Sequence, residues 1–173
     1  MKFILAAFIG LASVNAINKH NQQKLYENMN VQLSDDVTHG GNEYYSAGDQ
    51  GMTPNGVEYV RTMPEQFNED SDNKFMRKII DEYALEQKTD KGQPSGIFKM
   101  DKKQTLNASK WLIAKVKKLE GKDKELDNYM KQYFQRTWEH FDVNEEGVLD
   151  ALDMPAFMKY IASDQGVDLD SLA

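Results

Sequence analysis

Residues 140–155, HFDVNEEGVLDALDMP, place oxygen-bearing side chains at nearly alternating positions around a single glycine. If Asp142 is position one of a loop, the glycine falls at position six, and each position that needs a ligating side chain carries an oxygen. A twelve-residue loop of this kind can wrap a hard cation, which takes about six to eight oxygen ligands. The candidate metal ligands are the side chains of Asp142, Asn144, Glu146, Asp150 and Asp153 and the backbone carbonyl of Val148.

Four segments with apolar residues at helical spacing surround this loop and one further break in the pattern. The pattern predicts helices that begin near Asn73, Asp101, Asp123 and Pro155, and Gln104 suits a capping box in the second. The predicted fold is mainly α: two helix–loop–helix units bury each other's apolar faces and follow an extended, partly disordered arm. The aromatic and methionine stripes are interpreted as core, and a methionine-rich groove for a partner helix is the alternative.

The break between the first two predicted helices, QKTDKGQPSG, matches the loop pattern poorly. Aligning residues 96–98, GIF, with residues 147–149, GVL, places Lys91, Lys99 and Lys102 at positions one, nine and twelve. Because ammonium groups cannot replace anionic ligands, this loop is expected to keep the pairing strand and to bind no metal. An alternative frame through Asp90 and Asp101 needs an irregular loop. The three lysines either face the acidic loop or remain in solvent.

The segment TWEHFDVNEEGVLDALDMPAFMKYIASDQ, residues 137–165, resembles the EF-hand superfamily, and the likeness extends over about residues 72–164. It also looks like a group of secreted EF-hand proteins from single-celled eukaryotes. The resemblance implies a paired EF-hand in which the first hand is degenerate and the second binds Ca²⁺. It further implies that Leu149, at position eight, points into the core, where the paired loops meet as a short strand.

Two positions of the loop depart from the family pattern. Glu146 stands at position five, where a shorter side chain is usual, and Asp153 stands at position twelve, where a glutamate normally binds through both oxygens. The shorter arm of Asp153 predicts weak to moderate affinity, about 10⁻⁴–10⁻³ M, with Mg²⁺ as an alternative ion. The competing interpretation is an acidic turn that binds no ion, in which the carboxylates repel one another.

The start of the chain, MKFILAAFIGLASVNA, has a basic residue, a short apolar run and small residues before a polar sequence. This order is typical of a secretory signal peptide, residues 1–16, and a buried N-terminal helix is the alternative. Residues 17–63 form a predicted Tyr/Gly-rich flexible arm, either a disordered leader or a segment pinned by Tyr44, Tyr45, Tyr59 and Val60. Residues 64–165 form the predicted EF-hand pair, and residues 166–173 form an acidic tail that either frays or docks.

The composition and motifs bound the function. A formal net charge of −7 argues against nucleic acid as a partner, and no second apolar segment is long enough to span a membrane. The sequence has no nucleophile elbow, phosphate-binding glycine loop or zinc-type histidine spacing, so we predict no enzymatic activity. The predicted function is a secreted calcium-binding protein that acts as a binding or interaction module. The alternative is a structural subunit of an extracellular or secretory-granule assembly, in which the ion is a constitutive staple and the arm contacts further copies or other secreted proteins.

Overall fold

The computed structural model describes residues 43–49, 51–68 and 72–173. The predicted signal peptide, residues 1–16, and residues 17–42 of the predicted arm lie outside this part of the chain. The described strands are β1 (Tyr44–Tyr45), β2 (Leu85–Lys88), β3 (Pro94–Asp101) and β4 (Val148–Asp150), and the α-helices are α1 (Lys74–Lys78), α2 (Lys102–Val116), α3 (Asp123–Phe141) and α4 (Met154–Ala162). A π-helical turn, Ile79–Tyr83, extends α1, and 3₁₀ turns cover Glu65–Phe67 and Ala151–Asp153. No helix among the described residues is both long and apolar enough to cross a bilayer.

The four strands form one antiparallel sheet in the order β1-β2-β3-β4. The prediction of a mainly helical fold is therefore confirmed only in part, because the described fold combines its helices with this sheet. The predicted loop after the first helix is instead a β-hairpin that joins β2 to β3. At its turn the amide of Gly92 donates to the carbonyl of Thr89 at 2.7 Å, and the left-handed φ of +72° suits a residue without a side chain.

The register between β3 and β4 is one that the alignment of the two loops did not specify. Met100, rather than Phe98, lies opposite Leu149, and Phe98 instead pairs with Glu86 on β2. The shift is two residues, so it keeps the same side chains on the buried face of the sheet. Phe98 and Met100 are both buried, which explains why the apolar pattern alone could not separate the two registers.

All four described helices begin within one residue of the predicted starts, the first at Lys74 directly after Asn73. The carboxylate of Asp101 accepts a 2.7 Å hydrogen bond from the amide of Gln104 and caps α2. Helix α3 begins at Asp123, and α4 begins at Met154 with Pro155 in its first turn. The first helix is shorter than its apolar spacing suggests, because α1 passes into the π-helical turn and then into β2.

Helices and sheet share one core. The fully buried side chains include four methionines, which supports their interpretation as core residues. The aromatic rings of Phe134 and Phe157 lie 6.1 Å apart and join α3 to α4. The largest fully buried side chains are Phe75, Phe134, Phe157, Ile79, Ile80, Met100, Leu112, Ile113, Met130, Met154, Met158 and Ile161.

Residues on both sides of the predicted EF-hand pair pack onto it. Tyr45 and Tyr59 are buried and stack with ring centroids 4.1 Å apart, whereas Val60 is 71% exposed. At the other end, Leu169 is buried and the carboxylate of Asp170 accepts a 2.9 Å hydrogen bond from the amide of Phe75. The acidic tail therefore docks on the domain, and the C-terminal part of the predicted arm contributes a strand to the sheet.

Candidate metal-binding loop

The loop at residues 142–153 leaves α3 and returns through β4 to α4. Its first residue, Asp142, organises the turn: one carboxylate oxygen accepts from the amide of Glu146 at 2.9 Å, and the other accepts from the amide of Gly147 at 3.1 Å. The carbonyl of Asp142 also accepts from the amide of Glu145 at 3.1 Å. The side chain of Asp142 therefore lies over the backbone of the loop rather than extending into solvent.

Two residues with left-handed backbone turn the chain inside the loop. Glu145, at position four, has a φ of +55°, and Gly147, at position six, has a φ of +73°. Glycine adopts this conformation without steric penalty, whereas a residue with a Cβ atom pays about 1 kcal/mol or more. Asp142 accepts from the amide that follows Glu145 and from the amide of Gly147, and these bonds offset part of the strain at Glu145.

Strand β4 connects the loop to the rest of the sheet. Leu149 is buried, as predicted, and lies opposite Met100. The next residue, Asp150, caps the following 3₁₀ turn by accepting a 2.9 Å hydrogen bond from the amide of Leu152. Asp101 plays the same part on β3, one residue after Met100. The two paired strands thus each pass into a helical turn through a capping aspartate.

The predicted ligands occupy this loop but their carboxylates do not converge. Asn144, Glu146 and Asp153 are exposed, whereas Asp142, Val148 and Asp150 are partly buried. Among the described residues, no group of three or more histidine, aspartate or glutamate side chains is close enough together to hold a metal ion. A metal bound here would have to draw the exposed side chains inward by rotation of their side-chain torsions.

One cation of the protein already contacts a predicted ligand. The Nζ atom of Lys99 lies 3.3 Å from Oδ2 of Asp150, its partner across the strands. Of the three lysines that the sequence places near this loop, Lys99 therefore faces it. Lys91 and Lys102 are in none of the ion pairs found within the described residues.

Tyr44 of β1 is a neighbour of the loop that sequence reasoning did not connect with it. Burial is the main cause that raises the pKa of Tyr44, and Glu43 and Glu146 raise it further while Lys99 lowers it. The phenol therefore lies within electrostatic range of both a predicted ligand and the lysine. Sequence distance hid this proximity, because it depends on the pairing of β1 with β2 and of β3 with β4.

Aromatic side chains pack at the helical entry to the loop. Trp138 is buried against Phe134, with ring centroids 6.4 Å apart. His140 is exposed and stacks on Tyr160 of α4 at 4.6 Å, and Phe141 contacts the same tyrosine edge to face. These contacts couple the end of α3 to α4, so a movement of either helix changes the surroundings of Trp138.

A second polar cluster surrounds Glu86 of β2. The carboxylate of Glu86 is buried, and it accepts from the hydroxyl of Tyr59 at 2.7 Å and from the amide of Gly96 at 2.8 Å. Arg61 donates to the Tyr59 hydroxyl at 3.2 Å and to the carbonyl oxygens of Ile80 and Tyr45. The buried Glu86 and the partly buried Arg61 thus have several of their hydrogen-bonding groups satisfied, which is the condition for tolerating charge in or beside a core.

A groove of about 230 Å³ lies beside the end of the loop. The exposed apolar side chains Ile97 and Leu152 border it. Its lining residues are Pro64, Gln66, Phe67, Ile80, Gly96, Ile97, Phe98, Asp150, Ala151 and Leu152. Asp150 therefore belongs both to the groove and to the predicted ligand set.

Comparison of the chain with protein-family models, with curated proteins and with solved structures found no match.

Proposed function

We propose that this is a secreted calcium-binding protein of EF-hand type, with one weak to moderate Ca²⁺ site in the loop at residues 142–153. It acts as a non-enzymatic binding or interaction module. The observation that carries the proposal is the conformation at the start of the loop. The carboxylate of Asp142 accepts from the amides of Glu146 and Gly147, and the chain turns at the left-handed residues Glu145 and Gly147. This conformation holds the first predicted ligand at the centre of the loop.

The sheet supports the finer proposal of a paired EF-hand. In such a pair, two loops meet through short antiparallel strands, and here β3 and β4 pair around Met100 and Leu149. The capping aspartates Asp101 and Asp150 follow these residues at the same interval. The hairpin that replaces the first loop is consistent with a hand that kept its pairing strand and lost its ligands. The loop at residues 142–153 is then the metal-binding member.

The charge of the loop supplies the attraction for an ion. Asp142, Glu146, Asp150 and Asp153 bring four carboxylates into twelve residues, and this concentration of like charge is relieved when a cation binds. Asp153 is one methylene shorter than the glutamate usual at position twelve. We therefore expect a dissociation constant of about 10⁻⁴–10⁻³ M and weak discrimination against Mg²⁺.

Secretion is part of the proposal because of residues 1–16, which have the order of a signal peptide. At about 1 mM calcium, the level typical outside cells, a site of this affinity would be about half to nine-tenths occupied. The ion would therefore stabilise the secreted protein more than it would switch it. A switch would operate during passage through a compartment of lower calcium.

Calorimetric titration of the purified protein with CaCl₂ tests the proposal. We expect one site, with a dissociation constant of about 10⁻⁴–10⁻³ M. Asp142→Asn should abolish the binding heat, whereas Glu145→Gln, which removes the same charge from a non-ligand position of the same loop, should retain it. A protein that produces no binding heat and no change in Trp138 fluorescence contradicts the calcium function.

The second candidate function is a structural subunit of a secreted assembly, in which the ion is permanently bound. The exposed Ile97 and Leu152 beside the groove favour it, because adjoining apolar side chains on a surface can form a contact between molecules. Light scattering over a range of protein concentrations, with and without CaCl₂, separates the two functions. A monomer under every condition contradicts the structural assignment and leaves the calcium-binding module.

A further inference from the structure

Lys99 is held at a fixed position beside the loop by the strands on both sides of it. It lies on β3, where it pairs with Leu85 of β2 and with Asp150 of β4. Its ammonium nitrogen reaches Oδ2 of Asp150 at 3.3 Å, and the two side chains are 27% and 39% exposed. Because both backbones belong to the sheet, the two side chains start from directly opposed positions on neighbouring strands.

Both oxygens of Asp150 already have partners. The Oδ1 atom accepts a 2.9 Å hydrogen bond from the amide of Leu152, and the Oδ2 atom faces Lys99. A metal ion that used Asp150 would have to share or replace the lysine contact. The other predicted ligands have no such competitor, since the exposed Asn144, Glu146 and Asp153 are in none of the ion pairs of the described residues.

Tyr44 of β1 is a further neighbour of Lys99. Burial is the main cause that raises the pKa of its phenol, and Lys99 and Glu146 act on that pKa in opposite directions. The lysine and the glutamate therefore each lie within electrostatic range of this tyrosine.

We propose that Lys99 is a resident counter-cation of the loop, which neutralises Asp150 in the free protein and lowers the affinity for a divalent ion. This inference rests on the calcium function proposed above and adds a residue that sets its strength. A divalent ion and an ammonium group beside the same carboxylate repel each other. The flexible lysine arm can rotate towards solvent, which limits the effect to about three- to tenfold in dissociation constant.

The test compares two lysine variants by calcium calorimetry on the full protein. Lys99→Met keeps an unbranched side chain and removes the charge. Lys124→Met removes the same charge from an exposed position in the first turn of α3, about 25 Å along that helix from the loop. We expect Lys99→Met to bind Ca²⁺ about three- to tenfold more tightly than the wild type, and Lys124→Met to bind as the wild type does.

The outcomes separate this inference from the function on which it rests. If the wild type binds Ca²⁺ and Lys99→Met binds with equal or lower affinity, Lys99 is not a competitor and the calcium site stands. If neither protein binds, the calcium function fails and the inference fails with it. Binding by Lys99→Met alone supports the competition and overturns calcium binding by the natural chain. If the circular dichroism spectrum shows that Lys99→Met is unfolded, Lys99→Gln replaces it in the comparison. This variant must then show the same decrease in the dissociation constant for Ca²⁺.

Discussion

The hydroxyl of Tyr59 donates a 2.7 Å hydrogen bond to the buried carboxylate of Glu86. Removing this donor leaves one oxygen of a buried acid without its partner, so we expect Tyr59→Phe to lower the free energy of unfolding by about 1–3 kcal/mol at neutral pH. Urea denaturation measures the change. Tyr160→Phe, which removes the hydroxyl of an exposed tyrosine, is the control and should remain close to the wild type.

The same tyrosine makes stability depend on pH. Burial, followed by the hydrogen bond to Glu86, raises the pKa of Tyr59 to about 12. An unfolded tyrosine titrates near pH 10, so the unfolded chain loses this proton first as the pH rises. The stabilisation is complete below about pH 10 and is lost as the pH approaches about 12.

We therefore expect the urea midpoint of the wild type to fall between about pH 9 and about pH 12, and Tyr59→Phe to show a smaller fall. Some fall should remain in the variant, because the pKa values of Tyr44, Tyr83 and Tyr129 are also raised, mainly by burial. Equal slopes in the two proteins would mean that Tyr59 titrates alike in the folded and unfolded states.

At the scale of elements, Asp101 joins β3 to α2, and its carboxylate caps the helix. We expect Asp101→Ala to lower the free energy of unfolding by about 1 kcal/mol, the usual value of such a cap. Asp101→Asn retains an oxygen that can accept from Gln104 and should cost much less. If the alanine and asparagine variants are equally stable in urea, the cap contributes nothing and the charge or the strand end must be responsible for any loss.

The starts of α2, α3 and α4 could be predicted because their signals are local in the sequence. A capping aspartate, an acidic first turn and a proline at the second helical position each act within one turn of the helix. The hairpin of β2 and β3 has no comparable signal. Ala84 and Leu85 continue the apolar spacing of the preceding helix, and only pairing with distant residues makes Leu85 the start of a strand.

The candidate site likewise has a part that local sequence predicts and a part that depends on distant contacts. The order of ligands around Gly147 is local, so the loop and its six predicted ligands follow from the sequence. The contact between Lys99 and Asp150 depends on the register of two strands about fifty residues apart in the chain. If the two loops were paired at equivalent positions, with Phe98 opposite Leu149, antiparallel pairing would place Ile97 opposite Asp150. A shift of two residues puts a cation there instead.

The C-terminal tail is an element whose role the sequence left open between fraying and docking. In the structure Leu169 is buried, so we expect Leu169→Ala to lower the free energy of unfolding by about 2–3 kcal/mol. Leu152→Ala makes the same change at a leucine that is 55% exposed and should cost far less. Equal effects in thermal or urea unfolding would indicate that the tail is not packed in solution.

At the scale of the whole molecule, strand pairing connects the loop, through the sheet, to strand β1. Strand β4 leaves the loop and pairs with β3, β3 pairs with β2, and β2 carries both β1 and the buried Glu86. A ligand that fixes the loop therefore acts on an element that spans the fold. Its effect should be seen in global unfolding as well as in the local fluorescence of Trp138.

Binding to the folded state alone raises stability by mass action. With a dissociation constant of about 10⁻⁴–10⁻³ M, 10 mM CaCl₂ should add about 1.4–2.7 kcal/mol to the free energy of unfolding. For a chain of this length the melting temperature should then rise by about 3–10 °C. Glu145→Gln should show the same rise and Asp142→Asn none, and KCl at equal ionic strength controls for screening of the acidic surface. A rise that persists in Asp142→Asn would come from general screening or from another site. In 10 mM MgCl₂ a comparable rise is expected, because Asp153 reaches less far than the glutamate that favours calcium.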